Sequence, residues 1–212
     1  GNASITPDGK RMYLTICEAL AENKITCKIY MSSLDDNGVW SKPKALGKSV
    51  NDEGSDNTHP SVAKTENGVD VLYFSSNRAG GKGGYDIYTV DVKHTGSAGT
   101  ATNLDATVNT EWDEITPYYY GRKNVLFFSS NGRIGFGGYD NYQSLMGEDG
   151  KFAEAENLGS PLNSSADDMG YTEGEDKKSF YFVSNRVGII GDKSETCCDD
   201  IFKGTNTFVP TL

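Results

Sequence analysis

One phrase governs what this chain can fold into. It reads Tyr73-Phe74-Ser75-Ser76-Asn77, then Phe127-Phe128-Ser129-Ser130-Asn131, then Tyr181-Phe182-Val183-Ser184-Asn185, with 54 residues from each copy to the next. A degenerate fourth copy, Tyr13-Leu14-Thr15-Ile16-Cys17, carries cysteine where the others carry asparagine. A second phrase follows each first one: Lys28-Ile29-Tyr30, Asp86-Ile87-Tyr88, Asp140-Asn141-Tyr142 and Asp200-Ile201-Phe202. A third comes 16 residues after the aromatic in three copies: Leu46-Gly47 with Val50-Asn51, Leu104-Asp105 with Val108-Asn109, and Leu158-Gly159 with Leu162-Asn163.

Each unit contains short runs rich in β-branched and aromatic residues, separated by Gly, Asn, Asp and Pro clusters, and no helical period is sustained. Four strands per unit are expected: in the first, near Ser4 to Thr6, Arg11 to Ile16, Lys28 to Met31 and, more weakly, Trp40 to Leu46. Four-stranded antiparallel units at this period predict an all-β fold, a β-propeller. The chain reads as one domain with blade-like units at about 1–57, 58–114, 115–168 and 169–212. The outer strand of the last unit would fall past Leu212, which predicts either a small ring with a truncated edge or four blades of a larger ring.

Twenty Lys and Arg against thirty Asp and Glu give a formal charge of −10, which repels a phosphate backbone and argues against a nucleic-acid partner. No apolar run reaches the roughly 18 residues of a membrane span, and the opening Gly1-Asn2-Ala3-Ser4 does not resemble a signal peptide, so no membrane insertion by this chain is expected. If Cys17 ends one strand and Cys27 begins its hairpin neighbour, a disulfide can join them, placing the protein in an oxidising compartment; two buried thiols are the alternative. Cys197 and Cys198 form a second candidate thiol pair.

Gly80-Gly81-Lys82-Gly83-Gly84 looks like a phosphate loop, yet it leads into a strand, and the sister loop Ile134-Gly135-Phe136-Gly137-Gly138 lacks the lysine. These glycines are read as a hairpin connection that needs positive φ. Asp86, Asp140 and Asp200 recur in every later unit, as do Asn77, Asn131 and Asn185. They are taken as loop-closing residues, because chemistry needs one constellation whereas every blade needs its loops closed. Arg78, Lys82, Tyr85, Arg133, Phe136 and Arg186 are the candidate interaction-loop residues. His59, at the position of Thr116 and Gly170, and His94 lack any nucleophile or metal-ligand spacing. No catalytic, cofactor or metal residue is assigned; acidic clusters at Asn51-Asp52-Glu53, Asp167-Asp168 and Asp199-Asp200 make calcium the one cofactor considered. Trp112 and Tyr118-Tyr119-Tyr120 are read as packing between blades, with a peptide or sugar surface as the alternative.

"ITPDGKRMYLT", "YFSSNRAGGKGGYDIY" and "YFVSNRVGIIGDKSETCCDDIF" resemble the WD-like propeller repeat with a Pro-Asp signature, known from TolB and tricorn-type propellers. "WSKPKALGKSVN" followed by "HPSVA" is more narrowly similar to the propeller region of OmpA-family envelope proteins of Bacteroidetes-type bacteria. The resemblance implies a non-catalytic interaction scaffold, periplasmic or outer-membrane-associated, sometimes tied to secretion, with an envelope protein or peptide as partner. A carbohydrate-binding or glycan-cleaving propeller is the alternative. Ser33-Leu34-Asp35-Asp36-Asn37-Gly38-Val39-Trp40 is loosely similar to the Asp-box turn of sialidase propellers. A regulatory propeller of a peptidase would need a Ser-His-Asp set that is absent from this sequence.

Overall fold

A computed structural model describes residues 2–19, 24–176, 178–187 and 199–205. It is an all-β propeller of four antiparallel blades. Blade 1 comprises β1 (Ala3–Ile5), β2 (Arg11–Ala19), β3 (Ile25–Ser33) and β4 (Lys44–Ala45); blade 2 comprises β5 (Asn57–Glu66), β6 (Val69–Ser76), β7 (Asp86–Lys93) and β8 (Thr102–Asn103). Blade 3 comprises β9 (Glu114–Tyr120), β10 (Val125–Ser130), β11 (Asp140–Leu145) and β12 (Glu156–Asn157). Blade 4 shows β13 (Asp168–Glu173), β14 (Ser179–Ser184) and β15 (Asp200–Thr205) among the described residues. Cys197 and Cys198 lie outside those residues.

The recurring aromatic phrase forms the second strand of each blade, and its period-two alternation divides it between two cores. In β6, Leu72 and Phe74 pack toward blade 1, whereas Val71 and Tyr73 pack toward blade 3. In β10, Leu126 and Phe128 belong to the blade 2 side and Val125 and Phe127 to the blade 4 side. Ring contacts carry the seams: Tyr73 stacks on Tyr119 at 5.4 Å, and Phe127 meets Tyr171 at 4.5 Å. Each strand therefore serves as core on both faces, which explains why these runs read as continuously apolar.

The asparagine of the third phrase closes each blade. Asn51 bonds both backbone groups of Ile29 and the carbonyl of Leu46; Asn109 does the same to Ile87 and Leu104, and Asn163 bonds both backbone groups of Asn141. One side chain thus holds the outer strand's exit against the third strand. Cys17 and Cys27 sit directly opposite in the β2–β3 hairpin and form a disulfide with Cα atoms 4.0 Å apart. Between blades 1 and 2, the Arg11 guanidinium donates to buried Asp70 at 2.7 and 3.1 Å, and the Tyr13 hydroxyl does so at 2.7 Å. Neighbouring blades pack in sequence, and among the described residues no strand of blade 1 contacts a strand of blade 4.

Candidate functional site

Where the inner strands converge, a cavity of about 300 Å³ lies on the axis, lined by Asn2, Ala3 and Ser4 of blade 1, His59 to Ser61 of blade 2, Thr116 to Tyr118 of blade 3 and Gly170 to Thr172 of blade 4. Three inner strands, β5, β9 and β13, have a register shift at this level, and His59, Thr116 and Gly170 occupy equivalent positions there with φ of 52°, 52° and 66°. Left-handed backbone costs a β-branched or imidazole side chain about 1 to 2 kcal/mol, so at His59 and Thr116 the surrounding structure must hold it in place. It does so from the second strand: His59 N donates to Thr15 Oγ1 at 3.1 Å and Gly170 N to Ser129 Oγ at 3.1 Å, while Thr116 Oγ1 and Ser129 Oγ lie 2.8 Å apart.

The lining is polar and uncharged. Burial lowers the His59 pKa to about 4, so the imidazole is neutral near pH 7, with Nδ1 2.9 Å from Thr58 Oγ1. Ser4 and Ser61 hydroxyls accept the N–H groups of Val62 and Tyr119 from the next blade, at 3.0 and 3.4 Å. Three carboxylates border the lining: Glu173 directly follows Thr172 and pairs with Lys123 at 3.5 Å, while Glu114 and Asp168, both buried, each stand two residues before a left-handed position. Burial raises the Glu114 pKa against its bonds from Thr110 and Ser130. For Asp168, burial pushes the same way but is outweighed by bonds from Arg186, Ser184 and Ser164, which lower the pKa. Sequence reasoning missed the shared level of His59, Thr116 and Gly170 as a site; the only signal was their alignment between units.

The predicted loop residues turn inward. Arg78 lies 5.2 and 4.6 Å from the Phe74 and Tyr88 rings and donates to the carbonyls of Ser49 and Val50; Arg186 stacks on Phe182 and Phe202 and donates to Pro161 and Leu162. Arg133 donates to Thr107 and Val108. These arginines staple each incoming linker to its blade. Tyr85 N donates across the seam to Asp113 Oδ1 at 2.7 Å and its hydroxyl bonds Asp56. Asn77, Asn131 and Asn185 accept the N–H of Asp56, Asp113 and Asp167. Asp86 accepts the N–H groups of Lys82 and Gly83, and Asp140 that of Phe136, so these aspartates close their loops; Asp200 opens β15 opposite Ser184. Lys82 and Phe136 side chains are exposed.

The reason for the glycines is corrected. Of Gly80, Gly81, Gly83 and Gly84 only Gly80 has positive φ; a Cβ on Gly81 would run into the Asp86 carboxylate, on Gly83 into the backbone of Trp112, and on Gly84 into Asp113. Close approach, rather than backbone hand, requires three of the four. Tyr118 stacks on Phe127 and Tyr119 on Tyr73, so that run packs between blades while Tyr118 also reaches the cavity. His94 Nε2 lies 3.4 Å from Asp70 Oδ1. Asp35 caps its own turn, accepting from Asn37 N and Val39 N. Among the described residues no group of three or more His, Cys, Asp or Glu side chains is placed to hold a metal.

No family model matches the chain and no curated protein matches it. Solved structures do. A glycoside hydrolase superposes with a TM-score of 0.56 at 10% identity, covering 97% of this chain and 70% of its own. An α-L-arabinofuranosidase from Lactobacillus brevis gives 0.56 at 13%, covering 96% and 74%, and an endo-arabinase from Bacteroides thetaiotaomicron 0.56 at 14%, covering 94% and 72%. At these identities the likeness is one of fold. It nonetheless corrects the expectation of a non-catalytic envelope scaffold with a protein or peptide partner: the propellers that share this architecture over nearly the whole chain are named as a glycoside hydrolase, an arabinofuranosidase and an endo-arabinase.

Proposed function

We propose that this chain is a carbohydrate-directed propeller that takes a sugar at its axial cavity. The observation that carries the reading is the lining itself: Ser4, Ser61, Thr116, Tyr118 and a neutral His59 line the cavity with no charged side chain among them. An uncharged polyol matches such a set, because each hydroxyl both donates and accepts, and so does a neutral imidazole. At about 300 Å³ the space sits at the lower end of ligand cavities. The glycoside hydrolase neighbours support this reading, and the Cys17–Cys27 disulfide supports an extracytoplasmic, periplasmic or outer-membrane-associated setting.

Glycoside hydrolysis uses two carboxyl groups flanking the scissile bond. Glu173, next to the lining, is paired with Lys123, and Glu114 and Asp168 are committed to internal bonds, so the lining is assigned to recognition and no residue is assigned to bond cleavage. Calorimetric titration with arabino-oligosaccharides and cello-oligosaccharides, followed by chromatography of the mixture, tests the proposal. Saturable binding weakened by Tyr118→Phe supports it, and new shorter products would extend it to cleavage. Absence of heat and of products across both series at millimolar sugar would overturn it.

A further inference from the structure

Trp112 is out of keeping with the repeat that surrounds it. It precedes Asp113 just as Ser55 precedes Asp56 and Ala166 precedes Asp167, and the backbone there is the same: Trp112 N donates to Thr110 Oγ1 at 3.2 Å, and Ala166 N to Ser164 Oγ at 3.2 Å. Blade 4 thus closes this corner with a single methyl group. The indole is not needed by the seam, while the backbone that carries it is fixed, with Gly84 N donating to the Trp112 carbonyl at 2.9 Å. It remains 56% exposed.

Blade 3 also departs from the repeat in the residue that makes room for this ring. Blades 2 and 4 run Asn77-Arg78 and Asn185-Arg186, but blade 3 runs Asn131-Gly132-Arg133. Gly132 N occupies the bond to Ser130 Oγ that Arg78 N and Arg186 N make to Ser76 and Ser184. A Cβ on Gly132 would lie 2.5 Å from Trp112 Cδ1, 2.6 Å from its Cβ and 2.7 Å from Thr110 Oγ1, so the glycine lets this corner, indole included, approach closely.

The loop keeps its length, so the arginine is displaced by one position, and this has a visible cost. Arg78 and Arg186 each donate Nε to the serine of their own blade, at 2.9 and 3.0 Å, whereas Arg133 Nε is buried without a partner. The guanidinium also stands farther from its rings, 5.9 and 6.0 Å from Phe128 and Tyr142 against 4.6 to 5.2 Å in the other two blades. A repeat that breaks its own rule, gives up a hydrogen bond and gains an exposed indole has that indole for something other than folding. On the same blade, Phe136 is 55% exposed where blade 2 has Lys82.

We infer that Trp112 is a sugar-stacking platform outside the axial cavity, which holds the apolar face of one glycosyl ring while the chain of the glycan continues toward Thr116, four residues on. A rigid indole suits this, since it offers a large flat π-face with little side-chain freedom left to lose. The inference rests on the carbohydrate reading and adds a second subsite to it.

The chain has two tryptophans, so Trp40→Phe leaves Trp112 as the single indole reporter. Titrating this variant with arabinohexaose should shift and saturate the indole emission. Trp112→Ala, which copies the residue of blade 4, should keep its melting temperature and bind arabinohexaose about tenfold more weakly or worse by calorimetry. Gly132→Ala, displacing the ring, should lose affinity in the same way. Calorimetric binding unchanged in Trp112→Ala would overturn the platform while leaving the axial site standing. If wild type binds no glycan but its emission shifts with an aromatic-rich peptide, the ring docks protein, and both readings fall.

Discussion

The Tyr139 hydroxyl donates to Asp113 Oδ2 at 3.0 Å while its own N–H donates to Asp167 Oδ1 at 2.9 Å, so one residue ties the start of its own blade to the start of the next. Tyr85 repeats the arrangement one blade earlier with Asp56 and Asp113. Removing the hydroxyl with Tyr139→Phe should lower stability by about 1 kcal/mol in urea unfolding, with an interaction energy against Asp113→Asn that a double-mutant cycle can isolate.

The arginine staples are predicted to be unequal. The Arg78 side chain makes four hydrogen bonds and lies over two rings, whereas Arg133 lacks the Nε bond. Arg78→Ala should therefore cost about 1 kcal/mol more than Arg133→Ala, and Arg78→Lys should recover less than half of the loss because an ammonium cannot reproduce the fork. Denaturant midpoints for the three variants decide it.

Acidification should weaken the fold through His59. Its native pKa, lowered to about 4 by burial, lies below the ordinary 6.5, so between those values the unfolded chain binds more protons than the native one. The contribution is complete above about pH 6.5 and is lost as pH falls toward 4. His59→Gly, which copies Gly170 and tolerates the left-handed backbone, should flatten that part of the stability profile measured by thermal unfolding across the range.

Two glycines three residues apart should respond differently to alanine. At Gly80 the φ of 85° costs an alanine about 1 kcal/mol but nothing stands in the way of its methyl group. At Gly83 the methyl group would meet the Trp112 and Glu111 backbone of the next blade, which cannot step aside, and the loss should exceed 2 kcal/mol. Equal losses in paired melts would refute the close-approach explanation.

The fold was legible because one phrase recurs at a fixed spacing, and in blades 2 and 3 the second strand is core on both sides and admits little but aromatic and β-branched residues, so Tyr73 and Phe127, echoed by Tyr181, announce the architecture. The axial site was not legible for the converse reason. Each inner strand presents a different side chain to the axis, and the bulge that brings His59, Thr116 and Gly170 to one level leaves no alternation to detect. The role of Gly132 was hidden too, since its meaning lies in the ring of Trp112, twenty residues away, and in an arginine bond that is missing. The arginines themselves looked like surface charges because sequence does not show that a linker's carbonyls are waiting for them.

The disulfide stands in blade 1 at the two positions that Asn77 and Tyr85 hold in blade 2, with Cys27 N still donating to Asp56 as Tyr85 N does to Asp113. A polar lock that closes in any solvent has been exchanged for a covalent one that closes only under oxidation. Blade 1 therefore carries a redox-conditional clasp between its second and third strands, and a reductant should loosen this blade while blades 2 and 3, secured by asparagine and tyrosine, keep their grip.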